Sequence, residues 1–194
     1  MKYAIYTPND FKLVPWRNGK GVTTELIIKS LPDSDRFMWR LSAAGVVNDG
    51  EFSDFSGYDR ILILTEGNGV ILDYGNGRQD VLNQPLDCVS FSGDWKTSAK
   101  LINGLVKDFN VMSNRDYCSA KADVFKTTEA HRLKIESDCL LVYAADEDIH
   151  LTTNENDKVL LPVGQLFYAN EPPKSVLTIE GRSVVCVQII YRKH

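Results

Sequence analysis

Two arginines and several small polar residues lie close together between Trp16 and Arg60. Arg40 is followed two positions later by Ser42, and Ser53 precedes Arg60 in a stretch rich in glycine and aromatic residues. A guanidinium group can donate two parallel hydrogen bonds to a carboxylate, and hydroxyl groups add further polar contacts. Glycines, aromatics and arginines that alternate with apolar β-branched runs are typical of a polar, cationic pocket lined by strands. These residue types therefore favour the binding of an anion.

The spacing of Arg40 and Ser42 places both side chains on one face of a strand, with Ala44 beside them. Trp39 and Leu41 belong to the opposite face. An arginine and a serine between apolar residues fit the floor of a pocket. The alternative is a solvent-exposed face on which Arg40 forms a surface ion pair, and the pattern alone leaves both interpretations open.

Arg60 begins an apolar, β-branched run. If it points into a dry interior, it needs a protein carboxylate or an anionic ligand, because an unpaired buried charge is costly. Asp59 is adjacent in sequence but faces the other way on a strand. Glu25 is the better partner if its strand lies alongside. The alternative is that Arg60 ends a hairpin and pairs with a surface acid.

The glycine-rich segment 16–21 resembles a phosphate-binding loop only superficially. It lacks the G-x-x-x-x-G-K-[ST] spacing, and no helix is predicted after it. The glycines instead indicate a tight turn beside Trp16, where Asn18 offers an amide to a ligand or to the loop itself.

Other site chemistries have little support. His131, His150 and His194 lie far from the polar cluster, and the four cysteines are widely separated, with no C-x-x-C pair. The interpretation of the cysteines is small buried hydrophobic residues. Glu25, Asp59 and Glu66 are the groups available for acid–base work, and each of them could equally be structural. No catalytic residue, cofactor or metal ligand is predicted.

Composition excludes several function classes. The chain has 194 residues, a net charge of −4 and no Lys/Arg run, so neither nucleic acid nor a membrane surface is an expected partner. The apolar runs are too short to span a bilayer, and the N-terminal residues show no secretory signal. A cytoplasmic location is therefore expected.

Short apolar runs separated by Gly, Asn, Asp or Pro predict an all-β protein with few or no helices. A short turn is expected to start at Pro8 and end by Pro15, and 116–124 is a candidate helical link. The polar segment 117–129 is predicted to separate two strand-rich halves. The predicted strands are 22–29, 37–47, 60–65, 69–74, 88–92, 99–106, 109–113, 131–135, 140–145, 149–152, 158–162, 166–169, 175–180 and 184–191.

The stretch from Gly50 to Gly69 resembles the metal-binding frame of the cupin barrels. Ser53 and Phe55 lie where the two histidines of that frame would be, and Arg60 lies where its glutamate would be. Lys96 lies where a third histidine belongs, in a second frame through Pro85, Phe91 and Gly93, although a surface lysine is the more ordinary interpretation. These residues cannot ligate zinc, iron or manganese.

Several ordered motifs resemble the HutD/Ves family of bacterial proteins. They are Trp16-x-Asn18-Gly19-x-Gly21-x-Thr23-x-Glu25, Trp39-Arg40-x-Ser42, Gly50-x-Phe52-Ser53-x-Phe55-x-Gly57-x-Asp59-Arg60 and Asp108-Phe109-Asn110-Val111-Met112-x-x-Arg115. The resemblance extends over nearly the whole chain, but these specific motifs all precede Tyr117.

This resemblance implies a bicupin, two cupin-like jelly-roll β-barrels in one chain with no metal required: residues 1–117 with the ligand pocket, and a smaller barrel over 118–194. It implies an association with histidine-degradation genes and the binding of a small carboxylate, such as formylglutamate or urocanate, in a regulatory role. Carried over by position, the pocket residues are Trp16, Asn18, Thr23, Glu25, Arg40, Ser42, Phe52, Ser53, Arg60 and Asn110.

The leading hypothesis is a binding protein that holds a small anionic metabolite through Arg40 and Arg60, with the second barrel as a structural partner and candidate homodimer surface. The alternative is a metal-independent cupin enzyme, an isomerase or hydrolase for a small anionic substrate, in which Glu25 is the general base. A third interpretation is a protein-interaction module that uses exposed sheet edges.

Overall fold

The computed structural model describes residues 1–16, 21–153 and 157–193. These residues form nineteen β-strands and one 3₁₀ turn, Pro8–Asp10, and they contain no α-helix. The strands are β1 (Ala4–Tyr6), β2 (Lys12–Pro15), β3 (Val22–Ser30), β4 (Phe37–Val46), β5 (Gly50–Glu51), β6 (Tyr58–Glu66), β7 (Val70–Asp73), β8 (Gln79–Leu82), β9 (Cys88–Ser92), β10 (Ser98–Leu101), β11 (Val106–Asn114), β12 (Cys118–Phe125), β13 (His131–Ile135), β14 (Cys139–Ala144), β15 (Ile149–Thr152), β16 (Lys158–Leu161), β17 (Leu166–Asn170), β18 (Ser175–Glu180) and β19 (Val184–Tyr191). The predicted all-β class is confirmed.

The first barrel comprises Lys12–Cys118. Its two sheets have the strand orders β2-β3-β4-β11-β6-β9 and β5-β10-β7-β8. Neighbouring strands of the six-stranded sheet are antiparallel. Alternation of buried and less buried side chains along β7 is typical of a strand with one face on a core. The apolar core includes residues from both sheets, so it lies between them; its buried members are Val46, Leu62, Leu64, Val70, Leu72, Tyr74, Leu82, Phe91, Ala99 and Val106.

The central strands of the six-stranded sheet are buried on both faces. In β4, Trp39 and Leu41 on one face are as inaccessible as Ser42 on the other. In β11, every residue except Lys107 is buried. Burial alone therefore does not distinguish the two faces of these strands, and the identity of the core-facing side comes from the cross-strand register.

Gly67 makes the connection from β6 to β7. It has φ +105°, and a Cβ there would lie 2.5 Å from the carbonyl oxygen of Leu105. Only glycine avoids both the unfavourable φ and the contact with the backbone.

The second barrel comprises Met1–Phe11 with Ser119–His194. Its sheets have the strand orders β1-β17-β14-β19-β12 and β13-β18-β15-β16. Its core is built from aliphatic residues with one phenylalanine and one cysteine; the buried members are Leu133, Ile135, Leu140, Val142, Ala144, Ile149, Leu151, Val159, Leu161, Phe167, Ala169, Leu177, Ile179, Val184 and Cys186.

The N-terminal residues do not belong to the barrel that was predicted over residues 1–117. Ala4, Ile5 and Tyr6 pair with Tyr168, Phe167 and Leu166 of β17, so residues 1–11 belong with the C-terminal strands. The change of unit between residues 118 and 119 lies one position from the expected boundary.

The expected helical link over 116–124 is wrong. Residues Cys118–Phe125 form strand β12 at the edge of the five-stranded sheet. Pairing with the neighbouring strand satisfies the backbone of this polar segment, so the sheet overrides a weak local helical tendency. The expected turn is present at Pro8–Asp10, where the Asp10 carboxylate accepts hydrogen bonds from the Thr7 amide and hydroxyl at 2.8 and 2.9 Å. Pro15 lies at the end of edge strand β2, a position that tolerates proline.

Within the described ranges, no helix has the length and apolar character needed to cross a membrane.

Candidate functional site

The core-facing side of the six-stranded sheet carries a cluster of polar and charged side chains. Directly opposed residues of antiparallel strands share a face, so the register arranges this cluster in rows across the sheet. Three rows follow from the pairing: Ile28–Arg40–Met112–Arg60–Phe91, Glu25–Ser42–Asn110–Leu62 and Thr23–Ala44–Asp108–Leu64. Leu62, Leu64 and Phe91 belong to the apolar core, which identifies this side as the barrel interior.

Arg40 and Arg60 lie on either side of Met112, the residue opposite both of them. Arg40 Nη2 is 3.5 Å from the Met112 sulfur, a weak acceptor. The two guanidinium carbons each lie 5.4 Å from the ring centroid of Phe55, so their separation is at most twice that distance. The arrangement places two positive groups within reach of one small ligand.

Aromatic rings surround the Arg60 guanidinium. Its central carbon lies 5.0 Å from the ring centroids of Phe52 and Phe91. Arg40 has a similar contact with Phe37, at 5.0 Å. Faces of aromatic rings attract cations but do not accept the directed N–H hydrogen bonds of a guanidinium as an oxygen does. Phe52 and Phe55 are therefore walls of the site.

Arg60 is 5% exposed, and its Nε is buried without a hydrogen-bond partner among the described residues. Burial lowers the pKa of Arg60 to about 10, opposed by the charge of Asp108 and reinforced by the charge of Arg40. Buried polar groups almost always find a partner. An arginine in this state is a strong candidate for binding an anion.

Asp108 is an additional site residue that the expected pocket did not include. It is 5% exposed, and burial raises the pKa of its carboxyl to about 7, opposed by the charge of Arg60. Along β11, Asp108, Asn110 and Met112 alternate with fully buried apolar residues. The two polar residues of that set, Asp108 and Asn110, placed two positions apart in an apolar strand, were the available signal for this site.

Glu25 acts on Arg40 rather than on Arg60. Burial lowers the pKa of Arg40, and the nearby Glu25 carboxylate opposes this shift. The expectation that Glu25 is the acid beside Arg60 is therefore corrected. The negative charge that acts on the pKa of Arg60 is that of Asp108. Two strands, β4 and β11, lie between Glu25 on β3 and Arg60 on β6, whereas Asp108 is on the adjacent strand β11.

A clamp of charged residues supports the segment that carries Phe55. Arg115 Nη1 donates to Asp59 at 3.0 Å and to the Tyr58 carbonyl at 3.1 Å, and Nη2 pairs with Asp94. Asp94 in turn accepts from the Gly57 amide at 2.7 Å. Asp59 thus faces away from the site, as the alternation rule requires.

The remaining expected pocket residues have different positions. Thr23 is in the third row, and its hydroxyl accepts a 2.9 Å hydrogen bond from the Trp16 indole. Trp16 therefore reaches the site face through Thr23. Ser53 is exposed in the segment between Phe52 and Phe55. Asn18 lies outside the described residues.

The donor set does not suit the metal site of a cupin. The positions resembling metal ligands hold Arg60, Ser53, Phe55 and Lys96, and Lys96 is an exposed residue paired with Glu51 at 3.2 Å. In the described part of the chain, no group of three His, Cys, Asp or Glu side chains could hold a metal ion. Transition metals need imidazole, thiolate or carboxylate ligands, and a buried guanidinium repels a cation.

Comparison with known structures supports the cupin-like fold. HutD from Pseudomonas fluorescens, solved in a formate condition, has a TM-score of 0.86 and 24% identity over 99% of this chain and 100% of that chain. A cupin 2 conserved barrel domain protein from Leptotrichia buccalis has a TM-score of 0.50 and 12% identity, covering 92% of each chain. At these identities the likeness concerns the fold alone, and the predicted cupin-like all-β fold is confirmed.

Sequence relatives assign the chain to a family within this fold class. An uncharacterized 21.2 kDa protein in the hutC 3′ region of Pseudomonas putida is 34% identical over 144 residues, 74% of each protein. Protein Ves from Citrobacter koseri is 39% identical over 117 residues, which are 58% of this chain and 59% of Ves, so this match spans less than two thirds of that relative. The family model HutD matches residues 8–187. The predicted HutD/Ves resemblance is thereby confirmed, and the chain belongs to the HutD family.

Proposed function

We propose that the first barrel binds a small carboxylate through Arg40 and Arg60, without a metal, and that this binding serves a regulatory role in histidine utilisation. The observation that carries the binding is the state of Arg60: 5% exposed, with a buried Nε that has no partner among the described residues. A carboxylate would supply both the missing charge and the missing acceptors.

Geometry favours an organic anion over a bare ion. The two guanidinium groups flank Met112 and share Phe55 as a wall, so a ligand between them contacts apolar surface as well as positive charge. Guanidinium groups match the two oxygens of a carboxylate, and a few polar groups in an apolar pocket are typical of small-molecule sites. Ser42 adds a hydroxyl in the adjacent row.

The association with histidine utilisation rests on relatives. The name of the Pseudomonas putida relative locates that protein in the hutC 3′ region. Together with membership of the HutD family, this supports urocanate and formylglutamate as the first ligands to test. Both carry a carboxylate that the two arginines could bind.

Thermal unfolding with a ligand panel tests the proposal. Ligand at about 100 times its Kd stabilises a protein by about 2.7 kcal/mol. We expect urocanate or formylglutamate to raise the Tm of the wild type and to have no effect on Arg60→Ala. Arg78→Ala is the matched control, because Arg78 also lies over two aromatic rings, at 5.5 Å from Tyr74 and Trp95, but on the surface. Equal ligand responses of Arg60→Ala and wild type would show that the pocket is wrongly assigned.

An enzymatic function is the second candidate, and Asp108 favours it. A buried carboxyl whose pKa is raised to about 7 can act as a general acid or base near neutral pH. In this alternative the arginines hold the substrate anion and Asp108 or Glu25 transfers a proton. Incubation with each ligand followed by mass spectrometry distinguishes the candidates, since a binding protein returns the ligand unchanged.

A further inference from the structure

Two hydrogen-bond acceptors of β11 lie on the same face of the sheet as Arg40 of β4 and Arg60 of β6. Asn110 is two residues from Met112, and Asp108 is two residues further along the strand. A two-residue step on a strand is about 6.7 Å, so the acceptors extend away from the Arg40–Arg60 row by the length of a small metabolite. Their cross-strand neighbours on β6 are Leu64 for Asp108 and Leu62 for Asn110.

Both acceptors lack donors within the described residues. Asn110 is 7% exposed, and its Oδ1 is buried with no hydrogen-bond partner there. Asp108 is 5% exposed, and in the same part of the chain no donor to its carboxylate is found; the charge of Arg60 is the favourable interaction that it has. The buried Asn110 oxygen therefore loses its interaction with water and gains nothing in return, whereas the Asp108 oxygens are not among the fully buried unpaired atoms of the described residues.

Within the described ranges, the site thus contains an unpaired hydrogen-bond donor and an unpaired hydrogen-bond acceptor at neighbouring positions. Among those residues Arg60 Nε lacks an acceptor and Asn110 Oδ1 lacks a donor, and the ionised Asp108 carboxylate can accept a hydrogen bond beside them. A ligand that has a carboxylate but no N–H donor pairs with Arg60 and leaves the Asn110 oxygen unpaired. The ionisable and charged groups that act on this part of the site are Arg60 and Arg40, together with Glu25 and Tyr58 near Arg40 and Tyr74 near Arg60. Both arginines are occupied with the anionic end of the ligand in the proposed function, so neither is free to donate to Asn110.

We propose that Asn110 and Asp108 are specificity-determining residues that select carboxylates carrying an N–H donor, such as an amide or a ring N–H, in the part of the molecule remote from the carboxylate. This inference rests on the proposed function, because the arginines must first orient the anionic end. A site built to pair with a donor rejects a ligand of the same shape that lacks it, since the buried acceptor then remains unpaired.

Matched ligand pairs test this inference. In the first pair, 3-(pyrrol-2-yl)acrylate carries a ring N–H where 3-(furan-2-yl)acrylate carries an oxygen. In the second pair, N-acetylglutamate carries an amide N–H, remote from its side-chain carboxylate, where 2-acetoxyglutarate carries an ester oxygen. Isothermal titration calorimetry gives the affinity of the wild type for all four. We expect the N–H member of at least one pair to bind about tenfold more tightly or better.

Variants assign the preference to residues. Asn110→Leu and Asp108→Leu keep the approximate side-chain size but remove the acceptor, so each is expected to reduce the N–H preference to less than about threefold while the oxygen analogue still binds. Ser113→Ala is the matched control, because Ser113 is also buried on β11 but faces the other side of the sheet.

The outcomes separate the two proposals. If the oxygen analogues bind in an Arg60-dependent manner and neither pair shows a preference, the selection of donors is wrong and the carboxylate site stands. If the preference exists but survives in both leucine variants, these residues do not determine it and the inference is again wrong. If none of the four ligands binds at about 10 mM although urocanate or formylglutamate does, this inference fails alone. If those two also fail to bind, the proposed function fails with it.

Discussion

Arg40 and Arg60 are the residues opposite Met112 on its two neighbouring strands, and both guanidinium groups lie over the ring of Phe55. Burial lowers the pKa of Arg60, and the charge of Arg40 lowers it further against the opposing effect of Asp108. Two like charges in an apolar interior destabilise the unliganded barrel unless an anion joins them. The proposed binding of an anion accounts for this pair, whereas a contribution to folding stability does not.

Replacement of Arg60 by Met separates these two roles. Arg60→Met fills a similar volume and removes a buried charge that has no hydrogen-bonded acid partner among the described residues. Exchange of a whole buried ion pair for apolar residues stabilises proteins by about 1–4 kcal/mol in favourable cases, and at pH 6 Asp108, whose pKa is about 7, is mostly protonated and leaves no unpaired charge behind. We expect urea unfolding at pH 6 to show a more stable protein, and calorimetry to show loss of carboxylate binding.

The control for this prediction is Arg115→Met. Arg115 donates hydrogen bonds to Asp59 and Tyr58 and pairs with Asp94, so its removal should lower stability. Two destabilised variants would mean that Arg60 is a structural residue.

The ring of Phe55 is predicted to matter for both arginines at once. A cation–π contact contributes about 0.5–2 kcal/mol depending on desolvation, and Phe55→Leu removes two of them while keeping an apolar side chain. We expect carboxylate affinity to fall about tenfold or more. Phe125→Leu in the second barrel, where the ring stacks on His131 at 4.4 Å, should leave the affinity unchanged. An unchanged affinity in Phe55→Leu would indicate that the ring is only a filler.

Much of this site followed from local pattern. The two-residue period put Arg40 and Ser42 on one face, and it excluded Asp59 as the partner of Arg60. The family motifs added Asn110. The choice of face was not predictable from β4 itself, because Trp39 and Leu41 on the opposite side are equally buried.

The features that were missed depend on contacts between distant segments. Asp108 reaches Arg60 only because β11 pairs with β6, with a register shift at Lys107/Asp108. A single acid in an apolar strand gives no indication of that register. The N-terminal residues behave similarly: β1 pairs with β17 at the far end of the sequence, and no local signal connects them.

Stability is expected to depend on pH through Asp108. The folded-state pKa of about 7 lies above the usual aspartate value of 3.8, so the folded protein holds this proton more tightly than the unfolded chain. The stabilisation that this proton supplies is fully present below about pH 4 and is lost as pH rises through 7. Asp108→Asn imitates the protonated form, so it should be more stable than wild type at pH 8 and nearly equal at pH 4.

Urea unfolding of both proteins across this range gives the measurement, and the difference between them cancels other titrating groups. Asp116→Asn is the matched control, because Asp116 is an exposed carboxyl of the same barrel. A constant difference between Asp108→Asn and wild type from pH 4 to pH 8 would contradict the assignment.

Gly93 is predicted to position the aromatic wall through its backbone. Its amide donates to the Tyr58 carbonyl at 2.8 Å, and its carbonyl accepts from the Phe55 amide at 3.3 Å. A Cβ at this position would lie 2.3 Å from the Phe55 carbonyl oxygen, so Gly93→Ala must displace the segment that carries Phe55. We expect a loss of about 1–3 kcal/mol in stability and a larger proportional loss of carboxylate affinity, because Phe55 contacts both guanidinium groups.

Gly45→Ala provides the comparison for Gly93→Ala. Gly45 lies in β4 of the same sheet, and a Cβ there meets no atom within 4 Å. Alanine at an unstrained strand position is favoured by about 0.5–1 kcal/mol over glycine, so this variant should be as stable as wild type or slightly more stable, with unchanged binding. If Gly93→Ala loses stability yet binds carboxylate as well as Gly45→Ala does, the segment moves without affecting the arginines. Phe55 would then have no part in holding the ligand.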